Sequence, residues 1–254
     1  MESKLFEISA RNYKRIAIVG DIHGDYQALS ALLKIINTTE DLLVFLGDYA
    51  DRGPFGVESI REINSLTKAY PQNVIALKGN HEDFSEYGTP NFRPCTIIEE
   101  AEHKIGGWST FFQKELKPFI EGLYIAAVLP NEVLLLHGGI SSKLSSIKDL
   151  KSPSRVLEQD ILWSDPFDGK GERRNQTRGL GVEFGMDITL DVCEKIGVKK
   201  IIRSHQPKKA MSEPSYTHQG KVVTVHSTTV YGGIPFVYFI DSLDAKGSYC
   251  GIYT

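Results

Sequence analysis

The sequence predicts an α/β fold in which a parallel sheet is followed by a second, mixed or antiparallel sheet. Two observations carry this. Over the first eighty residues, short apolar runs at 15–19, 42–46 and 74–77 alternate with amphipathic stretches at 26–36 and 57–69, the order of strand and helix in a βαβαβ unit. Beyond residue 120 the runs at 124–128, 133–136, 199–202, 222–225, 236–240 and 249–253 follow one another with short turns, which suits a sheet that is not purely parallel.

The elements follow in order. In the stretch 26–36, Leu29, Leu32, Leu33 and Ile36 stand at i, i+3, i+4 and i+7 and form one apolar face to pack on the sheet. The segment 99–120 is helical in pattern, and Trp108, Phe111, Phe112 and Leu116 are spaced for core or cleft lining. Residues 165–185 hold glycines at 169, 171, 179, 181 and 185 together with Arg173, Arg174 and Arg178. This segment is expected to be a long functional loop, because structureless loops of that length are uncommon inside compact domains.

With 254 residues, 41% hydrophobic and 24% charged, and a net charge of -3, the chain supports a substantial core and excludes intrinsic disorder. The balance of 29 basic against 32 acidic residues gives no broad cationic field, which argues against nucleic acid as a main partner. The apolar runs are far shorter than the roughly 20 residues that span a bilayer, so no membrane partner is expected. Cys95, Cys193 and Cys250 are odd in number and widely spaced, which fits free thiols in a reducing compartment. The first twenty residues build no signal-peptide core, and a cytoplasmic location is expected. With no internal repeat and no Pro/Ser/Gly linker, residues 1–254 read as a single domain.

Three segments repeat one form, an apolar strand followed at once by Gly beside Asp, Asn or His: IAIVGDIHGD at 16–25, LVFLGDYADRG at 43–53 and VIALKGNHED at 74–83. VLLLHGG at 133–139 and IIRSHQ at 201–206 each add a histidine at a strand end. Because ligands gather at the carboxyl ends of parallel strands, these segments should converge on one rim. Together they supply Asp21, Asp48, Asn80, His23, His137 and His205, an oxygen and nitrogen set without thiolate. Such a set suits Mn, Fe or Zn better than Mg, and six ligands point to two ions.

GDIHG at 20–24, GDYADRG at 47–53, GNHE at 79–82, HGG at 137–139 and RSHQ at 203–206 resemble the calcineurin-like metallophosphoesterases. More narrowly, they resemble the phosphoprotein phosphatase family of serine/threonine phosphatases. The resemblance runs from about residue 15 to residue 240, and ILWSDPF at 161–167 and RGLGVEFG at 178–185 add to it. It implies a metallophosphoesterase-type β-sandwich of mixed sheets flanked by helices, and a phosphorylated protein as substrate. It also implies Asp21, His23 and Asp48 on a first metal, and Asp48, Asn80, His137 and His205 on a second, with Asp48 bridging. Manganese is the first expectation, with iron or zinc as alternatives. The implied nucleophile is metal-bound hydroxide. His81 would be the general acid, Asp51 would orient it, and Arg52, Arg178 and Tyr231 would bind the phosphate.

The chain departs from the eukaryotic pattern at 227–231, where Ser-Thr-Thr-Val-Tyr keeps only the serine and tyrosine, and at HGGISS, which lacks a proline. A compact, prokaryote-like member fits better, and no regulatory subunit is assigned. A symmetrical dinucleoside tetraphosphatase is the rival enzyme, set back by the aspartate of DRG at 51–53. A catalytically inactive phosphoprotein-binding relative is set back by the presence of all six ligands and His81. A dinucleotide-binding oxidoreductase fails because no GxGxxG follows the first strand. His103, His218 and His226 match no motif position and are assigned to surface or core.

Overall fold

Strand residues that are apolar on both faces need cover on both sides, and the fold provides it. The computed structural model describes residues 3–9, 12–242 and 245–252. The strands that form the sheets are β1 (Leu5–Glu7), β2 (Arg15–Val19), β3 (Leu42–Phe45), β4 (Val74–Ala76), β5 (Ala126–Leu129), β6 (Val133–Leu136), β7 (Asp165–Pro166), β8 (Glu172–Arg174), β9 (Val182–Phe184), β10 (Lys200–Arg203), β11 (Ser215–Thr217), β12 (Val222–Thr224), β13 (Phe236–Asp241) and β14 (Gly247–Gly251). The helices are α1 (Tyr26–Leu33), α2 (Gly56–Ala69), α3 (Ile97–Ile105), α4 (Trp108–Phe111), α5 (Lys117–Glu121), α6 (Ile147–Lys151), α7 (Arg155–Trp163) and α8 (Met186–Ile196).

One sheet has the order β14-β13-β2-β3-β4 and the other β1-β5-β6-β10-β12-β11. In the first, β2, β3 and β4 run parallel and β13 returns antiparallel beside β2. In the second, β6, β10 and β12 are parallel, and β5 and β11 are antiparallel to β6 and β12. Period-2 alternation sorts the side chains. Ile16, Ile18 and Val44 meet Leu135, Ile202 and Val223 between the sheets. Ala17, Val19 and Phe45 turn the other way, onto Leu29 and Leu32 of α1 and Ile60 and Ile63 of α2. On the far side, Leu134, Leu136 and Ile201 pack with Leu157 and Ile161 of α7 and Val192 of α8. The result is helix, sheet, sheet, helix, the mixed-sheet sandwich that the resemblance implies.

Three expectations need correction. The helical stretch 99–120 is not continuous: α3 ends at Gly106, whose φ of 83° takes the left-handed conformation of a helix C-cap. The chain restarts at Trp108, passes through a π turn at Phe112–Leu116 and finishes as α5. The segment 165–185 is not a bare loop, since β7, β9 and β8 make a third, three-stranded sheet. The helix expected over 26–36 stops at Leu33. Tyr253, the end of the last expected strand, lies outside the described residues. Among the described residues, no helix is long and apolar enough to cross a membrane.

The side chains that meet between the sheets are almost fully buried, so a truncation there leaves a cavity lined by apolar groups. Ile18→Ala should lower unfolding stability by about 2–5 kcal/mol, whereas Leu190→Ala, at a side chain 43% exposed, should change it by about 0.5 kcal/mol or less. Urea unfolding monitored by circular dichroism measures both, and equal losses would contradict the layer assignment.

Candidate active site

The parallel run of β2, β3 and β4 puts the three glycine-bearing turns on one rim, and the parallel pair β6 and β10 brings His137 and His205 to the same place. The turns are tight. Of the nine non-glycine residues with positive φ among those described, five are His23, Asp48, Asp51, Arg52 and His205. Such conformations cost of order 1–3 kcal/mol each and persist only where surrounding contacts impose them. Here the imposing contacts are visible. Gly47 and Gly79 touch so closely that a Cβ on Gly47 would stand 2.4 Å from the Gly79 nitrogen. The buried Glu82 carboxylate accepts hydrogen bonds from the backbone N–H groups of Asp48 and Gly79, each at 2.9 Å, and Tyr49 at 3.0 Å, locking the β3 turn to the β4 turn.

Within this frame the six candidate ligands converge. His23 is oriented by the Ala50 carbonyl, 3.1 Å from its Nδ1, which leaves Nε2 facing Asp48 Oδ2 at 3.5 Å and Asp21 Oδ2 at 3.8 Å. His137 is held in the same way through Nδ1, 3.0 Å from the Leu46 carbonyl. Its Nε2 meets Asn80 Oδ1 at 3.0 Å, His205 Nδ1 at 3.1 Å and Asp48 Oδ1 at 3.4 Å. Asp48 therefore turns one oxygen toward each histidine group, as a bridging carboxylate does.

These residues fit a pair of metal ions. Asp21 Oδ2 and His205 Nε2 are buried without a hydrogen-bond partner. Burial holds the imidazole of His23 down to about 3 and that of His137 to about 4, and pushes His205 well below the ordinary histidine value, so all three rings are neutral and able to ligate. Burial, reinforced by Asp21 and Glu82, pushes Asp48 well above the ordinary carboxylate range. A dry cluster of carboxylates next to neutral imidazoles calls for added positive charge.

His81 behaves differently. Burial alone would pull its imidazole down, but Asp48 and then Asp51 more than reverse this, and its pKa lies above the ordinary value. Its Nδ1 is 2.7 Å from Asp51 Oδ2, while Asp51 Oδ1 accepts from the N–H groups of Thr96 at 2.5 Å and Ile97 at 2.9 Å. The ring packs against Phe92, 4.5 Å between centroids. His81 also lies within ligand distance of His23 and Asp48, so proximity by itself does not separate an acid from a ligand.

Arg52, Arg178 and Tyr231 line the same cleft, a cavity of about 460 Å³. The Arg52 guanidinium stands 5.9 Å from the centroid of the Tyr231 ring, whose hydroxyl is 3.4 Å from His23 Nε2. Burial pushes the Tyr231 hydroxyl up to about 12, so it stays protonated. Arg178 is pinned by Asp165, 3.1 Å from its Nε, and donates from Nη2 to the His205 carbonyl at 2.9 Å. Arg173 instead pairs with Glu183 at 2.6 Å and covers Phe167. His103 is exposed and His218 is buried against Thr189 and the Phe167 carbonyl, while His226 is buried behind Gly20, within electrostatic reach of Asp21.

Sequence reading missed the residues that hold the site. Glu82 stands inside the quoted GNHE motif, where its charge directly after Asn80 and His81 was the available signal. Arg203 and Asp165 sit in RSHQ and ILWSDPF. Arg203 is fully buried, donates to the Gly138 carbonyl, reaches Asp165 Oδ1 at 3.0 Å and supports Gln206 at 2.8 Å. Asn175 adds a 3.0 Å bond to Asp165. Nothing in the sequence pairs these residues, because they lie on different elements.

Solved structures share the fold. A protein serine/threonine phosphatase from Saccharomyces cerevisiae superposes with a TM-score of 0.82 at 24% identity, over 100% of this chain and 84% of the other. A cold-active protein-tyrosine phosphatase from a psychrophilic Shewanella gives 0.62 at 18%, over 98% and 82%. A putative diadenosine tetraphosphatase gives 0.56 at 14%, over 100% of each. The model of the calcineurin-like phosphoesterase family matches residues 14–209, which contain all six converging ligand candidates, and the chain belongs to that family.

Proposed function

We propose that the protein is a serine/threonine protein phosphatase whose general acid is His81. The observation that carries this reading is the 2.7 Å contact between His81 and Asp51, with Asp51 fixed in turn by two backbone N–H groups. A serine or threonine alkoxide is a poor leaving group and needs a proton. A held acid is worth about 10² to 10⁴ in rate for such an ester and far less for an acidic leaving group. A dinucleoside tetraphosphate expels a nucleoside polyphosphate, which is already acidic, so the Asp51–His81 pair favours the phosphomonoester over that rival. Retention of all six ligands disfavours an inactive phosphoprotein-binding relative.

The roles divide as follows. Asp21, His23 and Asp48 would hold one divalent ion, and Asp48, Asn80, His137 and His205 the other. When bound, the ions, manganese first with iron or zinc as alternatives, supply Lewis acidity and a lowered pKa for the attacking water. Arg52 and Arg178 bind phosphoryl oxygens through charge-assisted hydrogen bonds, and the Tyr231 hydroxyl, beside Arg52 and His23, donates a further one. Asp51 accepts from His81 Nδ1 and keeps Nε2–H directed at the leaving oxygen. Three free thiols suit a reducing cytoplasmic setting.

Manganese at about 100 times its Kd should raise the melting temperature by roughly 5–10 °C. His137→Asn should lose both the shift and the bound metal, as read by thermal scanning and metal analysis. Magnesium should restore phosphatase activity to stripped protein poorly.

His81→Asn should retain metal and lose about 10² to 10⁴ in rate on a phosphoserine peptide but far less on p-nitrophenyl phosphate. Asp51→Asn should follow in milder form. Equal losses on both substrates, accompanied by reduced metal content, would make His81 a ligand.

Arg52→Ala and Arg178→Ala should each lower kcat/KM by about 10²-fold, while Arg173→Ala should leave it nearly unchanged. Steady-state kinetics on one phosphopeptide checks all three, and a larger loss at Arg173 would reject the assignment of Arg178.

A further inference from the structure

Immediately after His205 the chain makes a short 3-10 turn, Pro207–Lys209, and both of its lysines line the candidate active-site cleft. The platform beneath them is fixed. Gln206 is held by Arg203 at 2.8 Å, and the backbone closes through Lys209 N–H to the Gln206 carbonyl at 2.9 Å and Ala210 N–H to the Pro207 carbonyl at 3.0 Å. Pro207 is buried and the two lysine side chains are exposed.

Other lysines of this protein are paired with a carboxylate: Lys78 with Glu158, Lys104 with Glu58, Lys143 with Asp160 and Lys199 with Glu132. Lys208 and Lys209 face no acidic partner among the described residues. The cleft lining carries four permanent cations, Arg52, Arg178, Lys208 and Lys209, against one carboxylate, Asp48, in a chain whose net charge is -3. Arg52 and Arg178 answer the needs of one phosphoryl group. Two further ammonium groups on a rigid turn answer those of a second anion.

We propose that Lys208 and Lys209 form a flanking subsite for a second anionic group on the substrate peptide. The enzyme then prefers phosphoserine or phosphothreonine that lies beside an acidic or an already phosphorylated residue. This inference rests on the protein-phosphatase reading, and its test is arranged so that the two can fail separately.

Phosphoserine peptides with neutral flanks, with aspartates at the two positions on either side, or with a neighbouring second phosphoserine are tested as competitive inhibitors of p-nitrophenyl phosphate hydrolysis by the metal-loaded enzyme. The aspartate and phosphoserine arms separate a carboxylate-reading subsite from a phosphate-reading one. The acidic peptides should inhibit about three- to tenfold more tightly than the neutral one, as two exposed ion pairs allow, and added salt should shrink the ratio. The ratio should fall to near one in Lys208→Ala/Lys209→Ala and return in Lys208→Arg/Lys209→Arg. Equal inhibition by all peptides, no inhibition by any, or a ratio that survives the double alanine variant would overturn the inference. So would a double alanine variant that weakens inhibition by diadenosine tetraphosphate while leaving the peptides unmoved. Failure of the phosphatase reading is seen elsewhere, in a neutral phosphoserine peptide that inhibits but is never turned over.

Discussion

Asp21, Asp48, Asp51 and Glu82 crowd one rim of the sandwich at no more than 2% exposure, and most of the local architecture answers that accumulation of buried negative charge. Each carboxylate is answered differently. Glu82 is satisfied by three backbone N–H groups and Asp51 by His81 and two more. Asp21 receives the His205 N–H on one oxygen and nothing on the other. Asp48 receives the His81 N–H on Oδ1, and the oxygens left over, Asp21 Oδ2 and Asp48 Oδ2, both face His23 Nε2, so the protein's own hydrogen bonding decides where positive charge must be added. Strained turns at His23, Asp48 and His205 are the geometric expression of the same demand, since side chains from separate strands have to reach one small volume.

A second set of charges stands behind the first. Arg203 is buried among Gly138, Ser164 and Asp165, and burial lowers its pKa only to about 10, so it remains a cation. Asp165 shares its other oxygen with Asn175 and Arg178. The buried ion pair therefore aims an arginine at the cleft and anchors the small sheet β7-β9-β8 beside His205. Removing one member of such a buried network costs more than its pairwise bond, because the remaining charge is stranded.

What was legible in the sequence was local. A strand ending in Gly-Asp or Gly-Asn-His is readable because the turn residues and the ligands are neighbours in the chain; Asp21, His23, Asp48 and Asn80 came from such runs, and His137 and His205 from histidines at two further strand ends. The interruption at Gly106 and Gly107 was not legible from periodicity, since the aromatic residues keep helical spacing on both sides of the break. The three-stranded sheet within 165–185 escaped because its strands are two or three residues long and set among glycines that mimic a loop. Glu82, Asp165 and Arg203 were visible as charges but not as partners, because their hydrogen bonds join segments that meet only in the folded chain.

One of those long-range bonds reaches furthest. The His205 N–H donates to Asp21 across 184 positions of sequence, and β13, which flanks the strand leading to Asp21, is made later still. On a translating ribosome the first acidic turn emerges long before the histidine that completes it, and the sheet beneath it lacks a flank until residue 241 has followed. Domains fold as units as they leave the ribosome. The nascent chain therefore cannot assemble a working centre by halves. The site closes in a single late event, once both residue 205 and the strand that ends at residue 241 have emerged.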